Sequence, residues 1–236
     1  MNPRKDSIEE AKLNAALESI KHVKDEFVIG LGSGSTISYV IKEIGTLVKK
    51  EEIHVIAVPT SYQTFRLAIQ HGIPITTLAE HTTLNLAIDG ADQIDQKINL
   101  IKGMGGALTQ EKIVAEAAEK LIIVADERKK VKFLGENNHP VPIEVMSFAL
   151  SLVTKKLEKL GGKPMLRMSK GKVGPVVTDN GNFILDVDFG IIQNPLEKET
   201  KLKSIPGVIE TGLFIEMADL VYLGEKNGVK ELKRED

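Results

Sequence analysis

Between residues 87 and 112 the chain reads AIDGADQIDQKINLIKGMGGALTQEK. An apolar run stops at Asp89, further carboxylates follow at Asp92 and Asp95, and Lys102 opens a glycine-rich loop that leads into Glu111 and Lys112. A carboxylate can take a proton, a lysine can offset negative charge, and bare backbone N–H groups can stabilise an oxyanion. Together they suit removal of a proton next to a carbonyl, with the loop holding the enediolate that forms. Each residue also has an ordinary use. A lone aspartate after a strand caps a turn, and a glutamate at a helix start is favoured by the macrodipole. For the pair Asp89 and Asp92, with Gly90 opening the backbone to a ligand and Lys102 and Glu111 close behind, the functional reading is preferred. Asp95 reads as a surface turn residue and Lys112 as solvated.

A second loop, GLGSGST at 30–36, follows a strand and opens a helix. Backbone N–H groups at such a place suit an anion, and Ser33, Ser35 and Thr36 add hydroxyl donors. The dinucleotide fingerprint wants a glycine where Ser35 stands, and the Walker A motif wants a lysine that is missing. A phosphate or sugar contact is left, with a plain strand–helix turn as an equal alternative. In ADERKK, 125–130, Asp126 reads as a helix cap, and one of Arg128, Lys129 and Lys130 as a ligand contact beside two solvated charges. The histidines at 22, 54, 71, 81 and 139 lack metal-ligand spacing. With no cysteine, thiol chemistry and disulfides are excluded. These features fit aldose–ketose isomerisation of a sugar phosphate without metal or redox cofactor.

The elements that must position these loops follow from periodicity. FVIGL (27–31), IHVIAV (53–58), IPITTL (73–78), LNLAI (84–88) and LIIVA (121–125) read as apolar strands. Helices fill the stretch after Thr36, Ser61–His71 ending at Gly72, and about Leu108–Lys120. Strands alternating with helices imply a parallel sheet covered on both faces, whose ligands lie beyond the strands' carboxyl ends. The loops at 30–36, 89–92 and 126–129 share that edge. Ser7 and Glu10 read as a capping box for an N-terminal helix, with Leu13, Leu17 and Ile20 on one face. After GENNHPVP (135–142) the pattern becomes β-α-β-β-α-β, the ferredoxin-like order. LVYLG (220–224) then rejoins the first sheet. The reading is a Rossmann-like domain over 1–136 and 215–236, with an α+β domain over 137–214 inserted in it.

At 236 residues the chain is long enough for two modest domains. A net charge of −2 offers no basic excess to attract nucleic acid or an anionic membrane surface. The N-terminal segment lacks the apolar stretch of a signal peptide, and no apolar run reaches the length of a membrane span.

The blocks GLGSGST, DGAD, KGMGGALTQEK, VADERK, PVPIEV, VTDNGNFILDV and IPGVIETGLF, in this order, resemble ribose-5-phosphate isomerases of the A type. The resemblance implies interconversion of ribose 5-phosphate and ribulose 5-phosphate in the pentose phosphate pathway, without cofactor, by a cytoplasmic homodimer or homotetramer. It places the general base on Glu111 and ring opening on Asp89, with Asp92 and Lys102 also in the catalytic set. Substrate-binding positions fall on Ser33, Gly34, Ser35 and Thr36, on Asp89, Gly90, Ala91 and Asp92, on Lys102, Gly103, Met104 and Gly105, and on Lys129. Ser33 stands where threonine is frequent, and Met104 interrupts a glycine run. Two rivals are a sugar-phosphate sensor, which has no need of Glu111, and a coenzyme A transferase using Glu111 as nucleophile.

Overall fold

The structure, a computed structural model, describes residues 3–234. The chain forms two compact units. One comprises the residues up to Ala91, Gln110–Lys129 and those from Met217 on; the other comprises Asp92–Thr109 and Lys130–Glu216. The first unit opens with α1 (Pro3–Ile20), β1 (Phe27–Leu31), α2 (Ser35–Lys49), β2 (Val55–Pro59), α3 (Tyr62–His71) and β3 (Leu86–Asp89). The short strands β4 (Gln93–Ile94) and β5 (Leu100–Ile101) belong to the second unit, and the chain returns to the first through α4 (Leu108–Glu116) and β6 (Leu121–Asp126). The second unit continues with β7 (Val141–Val145), α5 (Leu150–Lys159), β8 (Lys163–Leu166), β9 (Phe183–Asp188), α6 (Pro195–Lys203), β10 (Val208–Thr211) and β11 (Leu213–Phe214). The hairpin β12 (Leu220–Glu225) and β13 (Gly228–Lys233) ends the first unit.

In the first unit one sheet has the order β13-β12-β6-β3-β1-β2. Every neighbouring pair is parallel except β12 with β13. All six residues of β6 are buried, as a central strand covered on both faces requires. The antiparallel edge β13 instead carries Lys230 and Lys233 and is half exposed, a composition that discourages further pairing. Ile29, Leu31, Leu86, Ile88, Ile122, Val124, Leu220 and Tyr222 alternate onto one face and pack with Ile37, Val40, Ile41 and Ile44 of α2 and Ala15 and Ala16 of α1. Ser61 caps α3 by accepting the Thr64 N–H at 3.1 Å, and Gly72, in the left-handed region, ends it.

Three expectations for this unit change. IPITTL makes only a bridge from Ile75 to Ala57, because Pro74 has no N–H to extend a ladder. Helix α1 begins at Pro3, so Ser7 is inside it and cannot be its N-cap. The buried face of α1 is Ala11, Ala15, Ala16 and Ser19, whereas Leu17 is 43% exposed. Small side chains are needed there because the Ala11 backbone lies directly against Gly224 of β12.

In the second unit β7, α5, β8, β9, α6 and β10 form the β-α-β-β-α-β order, with an antiparallel sheet β10-β7-β9-β8. Expected strand VIETGLF breaks at Gly212, and its second half, β11, joins β5 and β4 in a separate sheet. That sheet explains why 92–109 groups with the second unit, although the sequence reading left those residues in the first domain. Asp95 is the turn residue expected but is buried: it accepts the N–H groups of Lys97 and Asn99 at 2.9 and 2.8 Å.

A buried carboxylate, Glu144 of β7, is wrapped by the side chains of Thr109, Thr178, Asn180 and Asn182, donating at 2.6, 2.8, 3.0 and 2.8 Å. It joins the start of α4 to the Asn180–Gly181 turn. Glu144→Ala removes an acceptor that four donors share, two of them on the buried Thr109 and Thr178, and each stranded buried donor costs about 1–3 kcal/mol. The variant is expected to lose at least about 2 kcal/mol in urea unfolding. A loss below about 1 kcal/mol would show that the donors find other partners.

Among the described residues no helix is long and apolar enough to cross a membrane.

Candidate active site

In the first unit the carboxyl ends of β1, β3 and β6 lie at one edge because their registers align: Leu31 pairs with Ile88, and Ile88 with Ile122. Asp89 ends β3 and is 3% exposed. Its Oδ1 accepts the N–H groups of Ser33 and Gly90 at 3.2 and 2.7 Å. Gly32 is required for this approach, since a Cβ there would fall 1.9 Å from the same oxygen. Asp89 and the 30–36 loop, far apart in sequence, are therefore one structure.

Gly34 precedes α2 with φ 118° and makes no side-chain cap. The first bond of that helix is Ser38 N–H to Gly34 O at 3.2 Å, so the helix does not use the N–H groups before Ser38. They and the dipole make a place for an anion. The Ser33 hydroxyl is held from the other side, 2.9 Å from Thr60 Oγ1, 2.7 Å from Ser61 Oγ and 3.2 Å from Thr64 Oγ1. Thr64 also donates to Gly32 O at 2.7 Å. These three hydroxyl residues escaped the sequence reading. Their signal was the hydroxyl run after β2, at another strand's carboxyl end.

Asp126, at the end of β6, is buried and takes a two-pronged pair from Arg128, Nε to Oδ1 at 2.6 Å and Nη2 to Oδ2 at 3.1 Å. Burial pushes its carboxyl up, but the bond and charge of Arg128, joined by the charge of Lys129, outweigh this and hold it below its usual value. Arg128 is thus engaged rather than merely solvated, and Lys129 stands half-buried beside it.

Glu111 occupies the first turn of α4 and is 5% exposed. Val114, nearly one turn on, presses against Gly30 of β1, and Ala117 O accepts the Leu84 N–H at 2.8 Å ahead of β3. The helix therefore descends from the carboxyl edge of the sheet, and Glu111 stands at that edge, in the same unit as Asp89. Lys112, expected in solvent, is 9% exposed.

The second unit carries Asp92 and the loop from Lys102. The Lys102 N–H donates to Gly212 O at 2.8 Å; the side chain is 3% exposed, its ammonium 5.2 Å from the centre of the Phe214 ring. Asp92 Oδ2 accepts the Met104 N–H at 3.0 Å. Positive φ falls on Gly103 (94°) and Gly106 (83°), and Met104 is not among the residues with positive φ. A side chain is therefore tolerated at position 104, and it lies 42% exposed. The loop carbonyls of Gly103 and Met104 each accept Arg167 Nη1 at 3.0 Å. Arg167 and its partner Asp186 carry no signal in sequence; charges at strand ends resemble any solvated face. Among the described residues no group of three or more His, Asp or Glu is gathered as a metal site needs.

The profile of the family "Ribose 5-phosphate isomerase A (phosphoriboisomerase A)" matches residues 56–228. Ribose-5-phosphate isomerase A of Pyrococcus abyssi is 48% identical over 229 residues, 97% of this chain and 100% of that one. A solved D-ribose-5-phosphate isomerase in complex with phospho-erythronic acid superposes with TM-score 0.94 at 48% identity, over 99% of this chain and 100% of that one. The ribose 5-phosphate isomerase A of Methanocaldococcus jannaschii gives 0.92 at 45% identity, over 95% and 99%. The chain belongs to the ribose 5-phosphate isomerase A family, aldose–ketose isomerases that interconvert ribose 5-phosphate and ribulose 5-phosphate.

Proposed function

We propose that this chain interconverts D-ribose 5-phosphate and D-ribulose 5-phosphate through a cis-enediolate, with Glu111 as the base. The observation that carries the reading is a buried carboxylate, Glu111, at the sheet edge that also holds Asp89 and the anion loop. The N–H groups before Ser38, with Lys129, take the phosphate. Asp89, fixed by two backbone N–H groups, moves the proton that opens the sugar ring. Glu111 then takes the C2 proton and returns it to C1 on the same face, while the hydroxyl proton passes from O2 to O1. As the C–H bond breaks, charge gathers on the two sugar oxygens, and the Lys102 ammonium and the loop N–H groups at Met104 and Gly105 stabilise it. In this step the Asp92 carboxylate yields the Met104 N–H that it holds in the free protein. The relative solved with phospho-erythronic acid supports the assignment: an aldonate places a planar, charged carboxylate where an enediolate has its two oxygens, and such mimics bind tightly.

The exposed apolar side chains of Met146, Phe148 and Leu152 support the further reading that copies associate as a homodimer or homotetramer. The cytoplasm is the proposed location. Incubation with ribose 5-phosphate should produce a ketose, and dialysis against a chelator should leave that activity intact. A protein that binds the sugar phosphate without converting it would be a sensor, and one that transfers an acyl group from a thioester to a carboxylic acid would support the transferase.

A further inference from the structure

A trans peptide points its C=O and the following N–H in opposite directions. The Gly103 carbonyl shares a peptide with the Met104 N–H, and the Met104 carbonyl shares one with the Gly105 N–H. Arg167 Nη1 holds both carbonyls at 3.0 Å. Both N–H groups are thereby turned away from Arg167. On that far side the Met104 N–H meets Asp92 Oδ2 at 3.0 Å, and a Cβ placed on Gly105 would meet nothing within 4 Å. The guanidinium is itself locked, with Nε donating to Asp186 Oδ2 at 2.8 Å and Nη2 to Oδ1. The Arg167 N–H also donates to Ile184 O at 2.9 Å, which ties the arginine to β9. The two loop glycines with positive φ, Gly103 and Gly106, bracket this stretch; the Gly106 N–H also donates to Gly103 O at 3.0 Å, and Arg167 extends the hold from that turn to the Met104 carbonyl.

We propose that Arg167 is the positioning residue of the oxyanion cradle: by clamping the Gly103 and Met104 carbonyls it aims the Met104 and Gly105 N–H groups at the charge that develops on the sugar, a role that rests on the isomerase reading above. It touches no substrate atom. Its effect is to keep two dipoles aligned before the reaction starts, so that they need not reorganise during it. Asp186 serves the clamp by fixing the guanidinium plane. A lysine at this position keeps the charge beside Asp186 but loses the planar fork, so one mobile ammonium cannot make the two-pronged pair with Asp186 and fix both carbonyls as well.

The test compares wild type, Arg167→Lys and Arg167→Ala in kcat, KM, thermal melting and competitive inhibition by phospho-erythronic acid and by inorganic phosphate. Removing one oxyanion donor costs about 10²–10³ in rate; loosening two is expected to cost kcat about 10–10²-fold. KM and phosphate inhibition should stay near wild type, because the anion loop is untouched. Inhibition by phospho-erythronic acid should weaken in step with kcat, and added guanidinium should restore part of the Arg167→Ala rate. Arg167→Lys with the wild-type melting point and the kcat loss supports the proposal even if Arg167→Ala does not fold. Wild-type kcat in Arg167→Lys, or equal weakening of both inhibitors, overturns it. Wild type without activity on ribose 5-phosphate sinks the isomerase reading itself; an active wild type with equally active variants sinks only the clamp.

Discussion

Glu111→Gln is expected to lower kcat at least about 10²–10⁴-fold, the usual worth of a positioned general base, or roughly 3–5 kcal/mol of barrier. Glutamine keeps the size and polarity of the side chain but cannot accept the C2 proton. Glu111 is 5% exposed, so little hydration has to be stripped from it when sugar binds. The phosphate is proposed to sit at the 30–36 loop rather than on this carboxylate, so substrate affinity should change much less than kcat. The second signature is isotopic. Wild type should exchange the substrate's C2 hydrogen with heavy water, and the variant should not. If Glu111→Gln isomerises and exchanges near the wild-type rate, the base is another carboxylate. Asp89 is then next in line, since it lies at the same sheet edge of the first unit.

Ribose lacking its phosphate is expected to react with kcat/KM reduced by at least about 10³-fold. The reason is the start of α2. Its N–H groups ahead of Ser38 are not used by the helix, and hydrogen bonds to a charged group contribute about 1.5–3 kcal/mol each. Two or three of them supply the roughly 4 kcal/mol that this factor represents. Binding energy from a part of the substrate that does not react orients the carbons that do, so the loss should fall on kcat as well as KM. Adding inorganic phosphate together with ribose separates the two contributions. Partial recovery would place the effect in the anion loop, whereas equal efficiency of ribose and ribose 5-phosphate would show that the loop serves another purpose.

Much of this was legible in the residues. The central strands are continuous apolar runs because they are buried on both faces, and β6 shows this over its whole length. Glycine, serine and aspartate at their ends mark the edge where chemistry sits, since the strands leave the sheet there and their backbone groups are open. Periodicity likewise predicted the β-α-β-β-α-β order of the second unit. Gly72 marked the end of α3 in sequence, since a left-handed glycine acts within one turn of its own position.

What failed to show in sequence depends on partners far along the chain. The buried face of α1 is set by its close crossing of Gly224, so alanines and a serine win over Leu17. The segment 92–109 groups with the second unit because β11, more than a hundred residues later, pairs with β5. Arg128 looked solvated until Asp126 was seen to be buried beside it. The hydroxyl triad around Ser33 and the Arg167 clamp on the glycine loop join elements that share no local pattern. Sequence alone determined the residue types and the strand edge, because chemistry and short-range periodicity are local. Tertiary structure alone decided which side chains hold those groups in place, because hydrogen-bond partners are set by packing across distant strands, where a charged residue looks the same whether it will face water or a backbone carbonyl.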